Sequence, residues 1–208
     1  MKNFWERLFE SGKPIWDFRP SDSAIEAVNT FRENSFSKIL IPGIGYGRNA
    51  RLFLENGFNV TGIEISGSAI TIAKSYKIDC KFHEGSVTAM PYDDEIFDGI
   101  YCYALIHILN RSERKKFLVS CWNQLKNNGI MIFSVVSADD RMYGNGKYLS
   151  RNRFEVSKGL KVFFYDSESV EKEFSSFGLT DYKEINEPIK FMKDQPPIRM
   201  YYVVCKKC

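Results

Sequence analysis

The sequence predicts an α/β domain: a doubly wound, mostly parallel sheet of seven strands whose last strand runs antiparallel. Three observations predict it. Strand-like and helix-like segments alternate along most of the 208 residues, the rhythm of a parallel sheet with crossover helices. The early strand candidates include nearly continuous apolar runs, as strands buried on both faces require. The last two strand candidates are joined by a short Pro-containing stretch rather than a crossover helix, so they form an antiparallel hairpin.

The elements follow in order. Residues 38–42, KILIP, form an apolar run that stops at a glycine-rich turn, so they read as a buried central strand. A short helix over 49–56 follows, with Ala50, Leu52, Phe53 and Leu54 as its apolar positions and Gly57 as its stop. Residues 59–63, NVTGI, are the second strand, and Ser66 caps a helix over 68–76. A third, edge-like strand falls at 80–83 and a fourth at 97–103, FDGIYCY. Ser112 starts a helix that runs to Leu125, with Glu113 in its first turn and Gly129 beyond its end. The strongly apolar run 129–136, GIMIFSVV, is the fifth strand. A helix over 166–177, closed by Gly178, precedes the final strands at 179–185 and 200–205. Pro188, Pro196 and Pro197 lie between those two.

These elements read as one domain over 1–208 with two additions. Residues 1–34 form an N-terminal lid or helix segment that mixes Trp5, Phe9, Trp16 and Phe18 with Arg19 and Pro20. Residues 138–165 form an insertion or flap. Its stretch 138–160 is rich in Gly, Asn, Ser and charge and reads either as a flap over one end of the sheet or as a solvated surface loop. If this flap covers a substrate, Arg141, Lys147, Arg151, Arg153 and Lys158 suit an anionic or polar small molecule.

Composition excludes several classes. The chain is 44% hydrophobic and 26% charged, a balance of folded rather than disordered sequences. A net charge of +3 is too mild for a phosphate-binding face, so no nucleic-acid partner is expected. No apolar stretch approaches the ~20 residues of a membrane span, and residues 1–16 lack the apolar region of a secretory signal. Cys80, Cys102 and Cys121 are isolated in apolar or amphipathic segments, and the pair Cys205 and Cys208 has no second pair or nearby His. A reduced, cytoplasmic protein with no metal centre is the expectation, since neither His83 nor His107 has a partner at ligand spacing.

The most informative segment is Pro42-Gly43-Ile44-Gly45-Tyr46-Gly47-Arg48, with three alternating glycines between a buried strand and a helix. Glycines there let the backbone turn sharply and let a ligand approach without Cβ atoms in the way. Arg48 stands where the third glycine of a dinucleotide fingerprint would fall. Glu64 ends the next strand, where a carboxylate can accept both hydroxyls of a ribose.

These residues resemble the class I S-adenosylmethionine-dependent methyltransferases. ILIPGIGYG is similar to the family's first motif and GIEIS to its acidic second motif. Gly85-Ser86-Val87 with Met90-Pro91-Tyr92 resembles the third, FDGI running into Ala104-Leu105-Ile106-His107 the fourth, and LKNNGIMIFS the fifth. Together they cover about residues 36–137. Pro42 and the segment GKPIWD at 12–17 look most like the thiopurine and tellurite-resistance branch. The resemblance implies a Rossmann-like sheet and S-adenosyl-L-methionine as cofactor. It places Gly43, Gly45 and Gly47 under the methionine part, Glu64 on the ribose and Ile65 against the adenine. Ser86 and Val87 come to the adenine edge, and Tyr103 and Ala104 border the sulfonium. The N-terminal aromatics either fold over the cofactor, with Trp16 excluding water and Arg19 near the methionine carboxylate, or pack on the sheet edge. Two positions depart from the family pattern: Ile41 and Ser86 each stand where an acid is common.

The catalytic assignment stays open. His107 follows the fourth strand and is the candidate general base, against the reading of a hydrogen-bonded core histidine. The exit Cys102-Tyr103-Ala104-Leu105 does not resemble the Asn-Pro-Pro-Tyr of amino methyltransferases acting on DNA bases or protein glutamine. A small-molecule acceptor, methylated by in-line displacement, is therefore expected. The alternatives are a non-catalytic S-adenosylmethionine-binding regulator and an NAD-dependent oxidoreductase.

Overall fold

The computed structural model describes residues 2–12, 16–190 and 194–208. Part of the GKPIWD segment therefore lies outside the described residues. Helices α1 (Lys2–Phe9) and α2 (Asp22–Glu33) precede the sheet. Strand β1 (Lys38–Pro42) leads to α3 (Arg48–Glu55), β2 (Asn59–Glu64) to α4 (Gly67–Ser75), and β3 (Lys81–Glu84) to β4 (Phe97–Tyr103). Helix α5 (Arg111–Gln124) runs into β5 (Leu125–Val136). After β6 (Lys147–Ser150), β7 (Arg153–Ser157) and β8 (Leu160–Phe163) come α6 (Ser167–Phe174), β9 (Leu179–Glu187) and β10 (Ile198–Lys206).

Seven strands form one sheet in the order β3-β2-β1-β4-β5-β10-β9. Pairings from β3 to β5 are parallel, and β10 runs antiparallel to both β5 and β9. The chain winds outward from β1 to β3 and then returns to β4 beside β1. That reversal opens a crevice at the carboxyl ends of the strands, where open α/β sheets take ligands.

Side-chain alternation splits the core between the two faces. Ile39, Ile41, Tyr101, Ile130 and Ile132 pack toward α2, α3 and α4 with Phe31, Phe53 and Ile72. Leu40, Ile100, Cys102, Met131 and Phe133 pack toward α5 and α6 with Phe117, Leu118 and Phe174. Because both faces are covered, β1 is apolar at every buried position, from Ile39 to Pro42.

Local chemistry sets the helix starts. Ser21 caps α2 by accepting the Ala24 N–H. The Glu187 carboxylate, 1% exposed, accepts the N–H groups of Asp22 at 2.7 Å and Ser23 at 3.2 Å, the favoured place for an anion. Helix α5 starts at Arg111, not Ser112, because Asn110 and Glu113 close a capping box. Strand β5 starts at Leu125, earlier than the apolar run suggests, since its polar first residues Lys126, Asn127 and Asn128 are exposed.

Residues 138–160 are not a structureless loop. Strands β6, β7 and β8 form a separate three-stranded antiparallel sheet. Its tight turns use Asn152 at φ 61° and Gly159 at φ 86°, the left-handed geometry of short hairpins. Phe154, Val162 and Phe164 turn inward and pack on Ile108 and Val136.

Candidate active site

Strand β1 delivers the chain to Gly43 at φ 68°, Gly45 at φ 59° and Gly47 at φ 83°. The N–H groups of Gly43 and Ile44 donate to the Ile63 carbonyl at 2.8 and 3.1 Å, tying the loop to β2. A Cβ on Gly45 would meet nothing within 4 Å, so that side of the loop faces open space. Gly47 differs. A Cβ there would lie 2.9 Å from the Ile78 side chain, so this glycine serves packing and the entry to α3.

At the end of β2 the Glu64 carboxylate is 7% exposed. Its Oε2 accepts the Gly45 N–H at 2.9 Å and its Oε1 accepts the Ser66 N–H at 2.9 Å. Burial pushes its pKa up, and these amide donors pull it back. The carboxylate thus spans two loops while remaining on a cavity wall.

That cavity, about 510 Å³ in volume, runs along the carboxyl ends of the strands, within the range of small-molecule sites. Gly43, Gly45, Glu64, Ile65, Ser86, Val87, Tyr103, Ala104 and Trp16 all line it, and Gly47 does not. Ser86 Oγ caps the turn 87–89 by accepting the Thr88 N–H at 3.2 Å, and it lies 2.8 Å from Thr88 Oγ1. Its hydroxyl is therefore already engaged locally. Ala104 is held at φ 53°, a strained geometry for alanine, with its N–H on the Ser134 carbonyl at 3.0 Å.

The N-terminal segment borders the same space. Trp5, Phe9 and Trp16 line the cavity, and Trp16 stacks on Tyr46 at 6.2 Å. Glu6 fastens α1 to the start of α4, accepting the Ser68 hydroxyl at 2.6 Å. Arg19 does not reach the cavity: it turns outward to Asp17 and to the Lys190 carbonyl. The cation on the cavity wall is Arg48, whose guanidinium lies 5.3 Å from the Tyr103 ring centre. Sequence reasoning noticed Arg48 only as a missing glycine. Its place at the first turn of α3, directly after the glycine loop, was the signal for a side chain on the cavity wall.

His107 lies in the short 3₁₀ turn 106–108 after β4 and lines the cavity. Its Nδ1 accepts the Val136 N–H at 3.3 Å, so the ring proton belongs on Nε2. Burial depresses the imidazole pKa to about 4. A neutral ring whose free nitrogen carries a hydrogen donates a bond and takes no proton. The candidate base is therefore a donor. Tyr103 is no base either, because burial pushes its phenol up to about 12. His83 sits on the edge strand β3, away from the cavity.

The flap's basic residues do not enter the cavity. Arg151 pairs with Glu168 at 2.7 Å, Arg153 donates to the Leu109 carbonyl at 2.7 Å, and Arg141 donates to Gln195 at 3.0 Å. Lys147 and Lys158 are exposed. What the insertion contributes instead is Met142, Val156, Leu160 and Val162. The expectation that the flap's basic residues suit an anionic or polar substrate is not met, because Arg141, Arg151 and Arg153 are held by these partners outside the cavity lining. Among the described residues, no metal-ligating cluster is present and no helix is long and apolar enough to cross a membrane.

A profile of the family described as "Methyltransferase domain" matches residues 40–133. The chain is 22% identical to a glycine/sarcosine N-methyltransferase of Aphanothece halophytica over 96% of its own length and 73% of the relative's. It is 30% identical to a ubiquinone biosynthesis O-methyltransferase of Rickettsia typhi over 62% of its own length and 56% of that relative's. Its fold is similar, with a TM-score of 0.73 at 15% identity, to a crystal structure of Burkholderia thailandensis 1,6-didemethyltoxoflavin-N1-methyltransferase with bound 1,6-didemethyltoxoflavin and S-adenosylhomocysteine. That match covers 99% of this chain and 86% of the other.

Proposed function

We propose that this chain is a class I S-adenosylmethionine-dependent methyltransferase that passes a methyl group in line to a small-molecule acceptor held beneath the β6–β8 sheet. The observation that carries the reading is one continuous cavity. It joins the Gly45–Glu64 corner, suited to a nucleoside, to an apolar chamber beyond Tyr103 and Ala104. When bound, S-adenosylmethionine supplies a methyl group on a sulfonium, from which an acceptor lone pair takes the carbon while sulfur keeps the bonding pair.

The chain's own groups bind, orient and exclude water. Glu64, fixed by the Gly45 and Ser66 amides, accepts the ribose hydroxyls. The open side of Gly45 leaves room for the amino-acid portion, and Arg48 is the cation that pairs with its carboxylate. Ile65 and Val87 sandwich the adenine, whose edge meets the Val87 N–H and the remaining lone pair of Ser86. Trp16 with α1 closes the cofactor end, which strengthens electrostatics and keeps water from the reacting carbon. With a good leaving group in place, positioning is the main work left to the protein.

The names of the relatives, a glycine/sarcosine N-methyltransferase and a ubiquinone biosynthesis O-methyltransferase, support an acceptor that is a small molecule. Among the described lining residues Arg48 is the one Lys or Arg, which does not suit a phosphate backbone.

Calorimetric titration with S-adenosylhomocysteine and with NAD tests the reading. Micromolar binding of the former is expected, weakened at least tenfold by Glu64→Ala (~1.4 kcal/mol). Binding of NAD alone, or of neither, would overturn it.

A further inference from the structure

We infer that the acceptor is an uncharged, largely apolar ring compound, oriented in the chamber by a hydrogen bond from His107 Nε2–H to an oxygen or ring nitrogen on it. This inference rests on the methyltransferase reading and narrows its substrate.

The chamber walls are Ile108, Val136, Met142, Leu160, Val162 and Met200, contributed by the turn after β4, by β5 and β10, and by the flap. All are apolar. The flap cations are committed elsewhere, to Glu168, to the Leu109 carbonyl and to Gln195. A carboxylate or ammonium on the acceptor would lose its hydration among these walls and find no opposite charge on them, since Arg48 and Glu64, elsewhere on the same cavity, are taken by the nucleoside ligand; that is strongly unfavourable. The amino acid glycine, as a zwitterion, would meet that penalty at both ends.

One polar donor breaks the apolar lining. His107 has its Nδ1 occupied by the Val136 N–H, and its Nε2 has no partner among the described residues. A single directed donor in an apolar pocket fixes orientation, the usual division of labour in small-molecule sites. The apolar walls hold a ring, and the donor turns one of its heteroatoms toward β4.

The same lining constrains the reacting atom. Glu64 is engaged by two amides, Tyr103 keeps its proton to about pH 12, and His107 presents a hydrogen rather than a lone pair. The acceptor therefore brings a neutral lone pair that needs no enzymic base, as an unprotonated ring nitrogen does.

The test uses the full chain saturated with S-adenosylhomocysteine and two probes that differ by one carboxylate, 2-naphthol and 3-hydroxy-2-naphthoate, titrated calorimetrically. Binding of 2-naphthol at least tenfold tighter than the carboxylate is expected. Val162→Asp should abolish 2-naphthol binding while leaving S-adenosylhomocysteine affinity unchanged, and Met142→Lys should do the same should the first variant fail to fold. His107→Gln, which keeps a donor, should retain more 2-naphthol affinity than His107→Leu. Equal or tighter binding of the carboxylate or of glycine, or no 2-naphthol binding to protein that does hold S-adenosylhomocysteine, overturns this inference alone. Failure to bind S-adenosylhomocysteine overturns the methyltransferase reading first.

Discussion

The Glu64 carboxylate and the Gly45 amide meet at 2.9 Å, joining the end of β2 to the glycine loop after β1. A second amide, from Ser66, holds the other carboxylate oxygen at 2.9 Å. One acidic side chain thus fixes two ligand-binding loops before any ligand arrives. This preorganisation has a stability consequence. Glu64→Ala strands both donors and should lower unfolding free energy by about 1–3 kcal/mol, read from urea denaturation; an unchanged midpoint would show that the bridge contributes nothing.

Acid should weaken cofactor binding through the same group. Burial raises the Glu64 pKa, so its proton returns at a higher pH than for an exposed glutamate, near ~4.3. Only the ionised form accepts two hydroxyls. Affinity for S-adenosylhomocysteine should therefore fall as pH drops, with a midpoint above the ordinary glutamate value, and Glu64→Gln should flatten the dependence. For the free protein the sign reverses. A raised folded-state value favours folding below the unfolded pKa, and that benefit is lost as pH rises through the folded one.

His107 should show no signature of a base. Its pKa of about 4 leaves it neutral throughout the range from about pH 6 to 8, where an unperturbed histidine titrates. His107→Leu should lower turnover and raise the acceptor KM without removing any ionisation from the kcat/KM profile. Loss of a limb near neutrality in that variant would restore histidine to the role of base.

Gly45 should tolerate no side chain. At φ 59° any L-residue is strained by ~1–2 kcal/mol, and the added Cβ enters the cavity. Gly45→Ala should leave the protein folded but weaken S-adenosylhomocysteine binding, whereas Gly57→Ala, a turn outside the cavity, should not. Equal binding by both variants would remove the glycine loop from the site.

The flap should depend on a buried ion pair. Arg114 Nε lies 2.8 Å from Glu173, its guanidinium sits 4.0 Å from the centre of the Phe163 ring at the end of β8, and Tyr165 donates to the same carboxylate at 3.1 Å. Arg114 is 5% exposed, so Glu173→Ala leaves a charge without its partner and should destabilise by ~3–5 kcal/mol. Thermal denaturation checks this, and a shift within error of zero would contradict it.

The glycine-loop end of the cavity was legible in the sequence because its signals are local. A buried run, alternating glycines and an acid at the next strand tip follow from turn chemistry and period, and the mostly parallel sheet follows from the alternation of strands and helices. The acceptor end was not. The turn-rich composition of 138–160 hid strands whose pattern, as in Arg153-Phe154-Glu155-Val156-Ser157, alternates over only a few residues. Counting the arginines there misled, because Arg141, Arg151 and Arg153 are taken by Gln195, Glu168 and the Leu109 carbonyl, while the unremarked Met142 and Val162 line the cavity. Arg19 and Arg48 make the same point. Which of them faces the cavity is decided by Asp17 and the Lys190 carbonyl, partners that a linear reading does not weigh.

A crystal structure of the full chain with S-adenosylhomocysteine tests the central claim most directly, through the distances from the Glu64 oxygens to the ribose hydroxyls. The account predicts both hydroxyls within about 2.5–3.0 Å of that carboxylate, with the ligand's sulfur facing the chamber lined by His107. A nucleoside lying away from Glu64, or no ligand bound at saturating concentration, would contradict it.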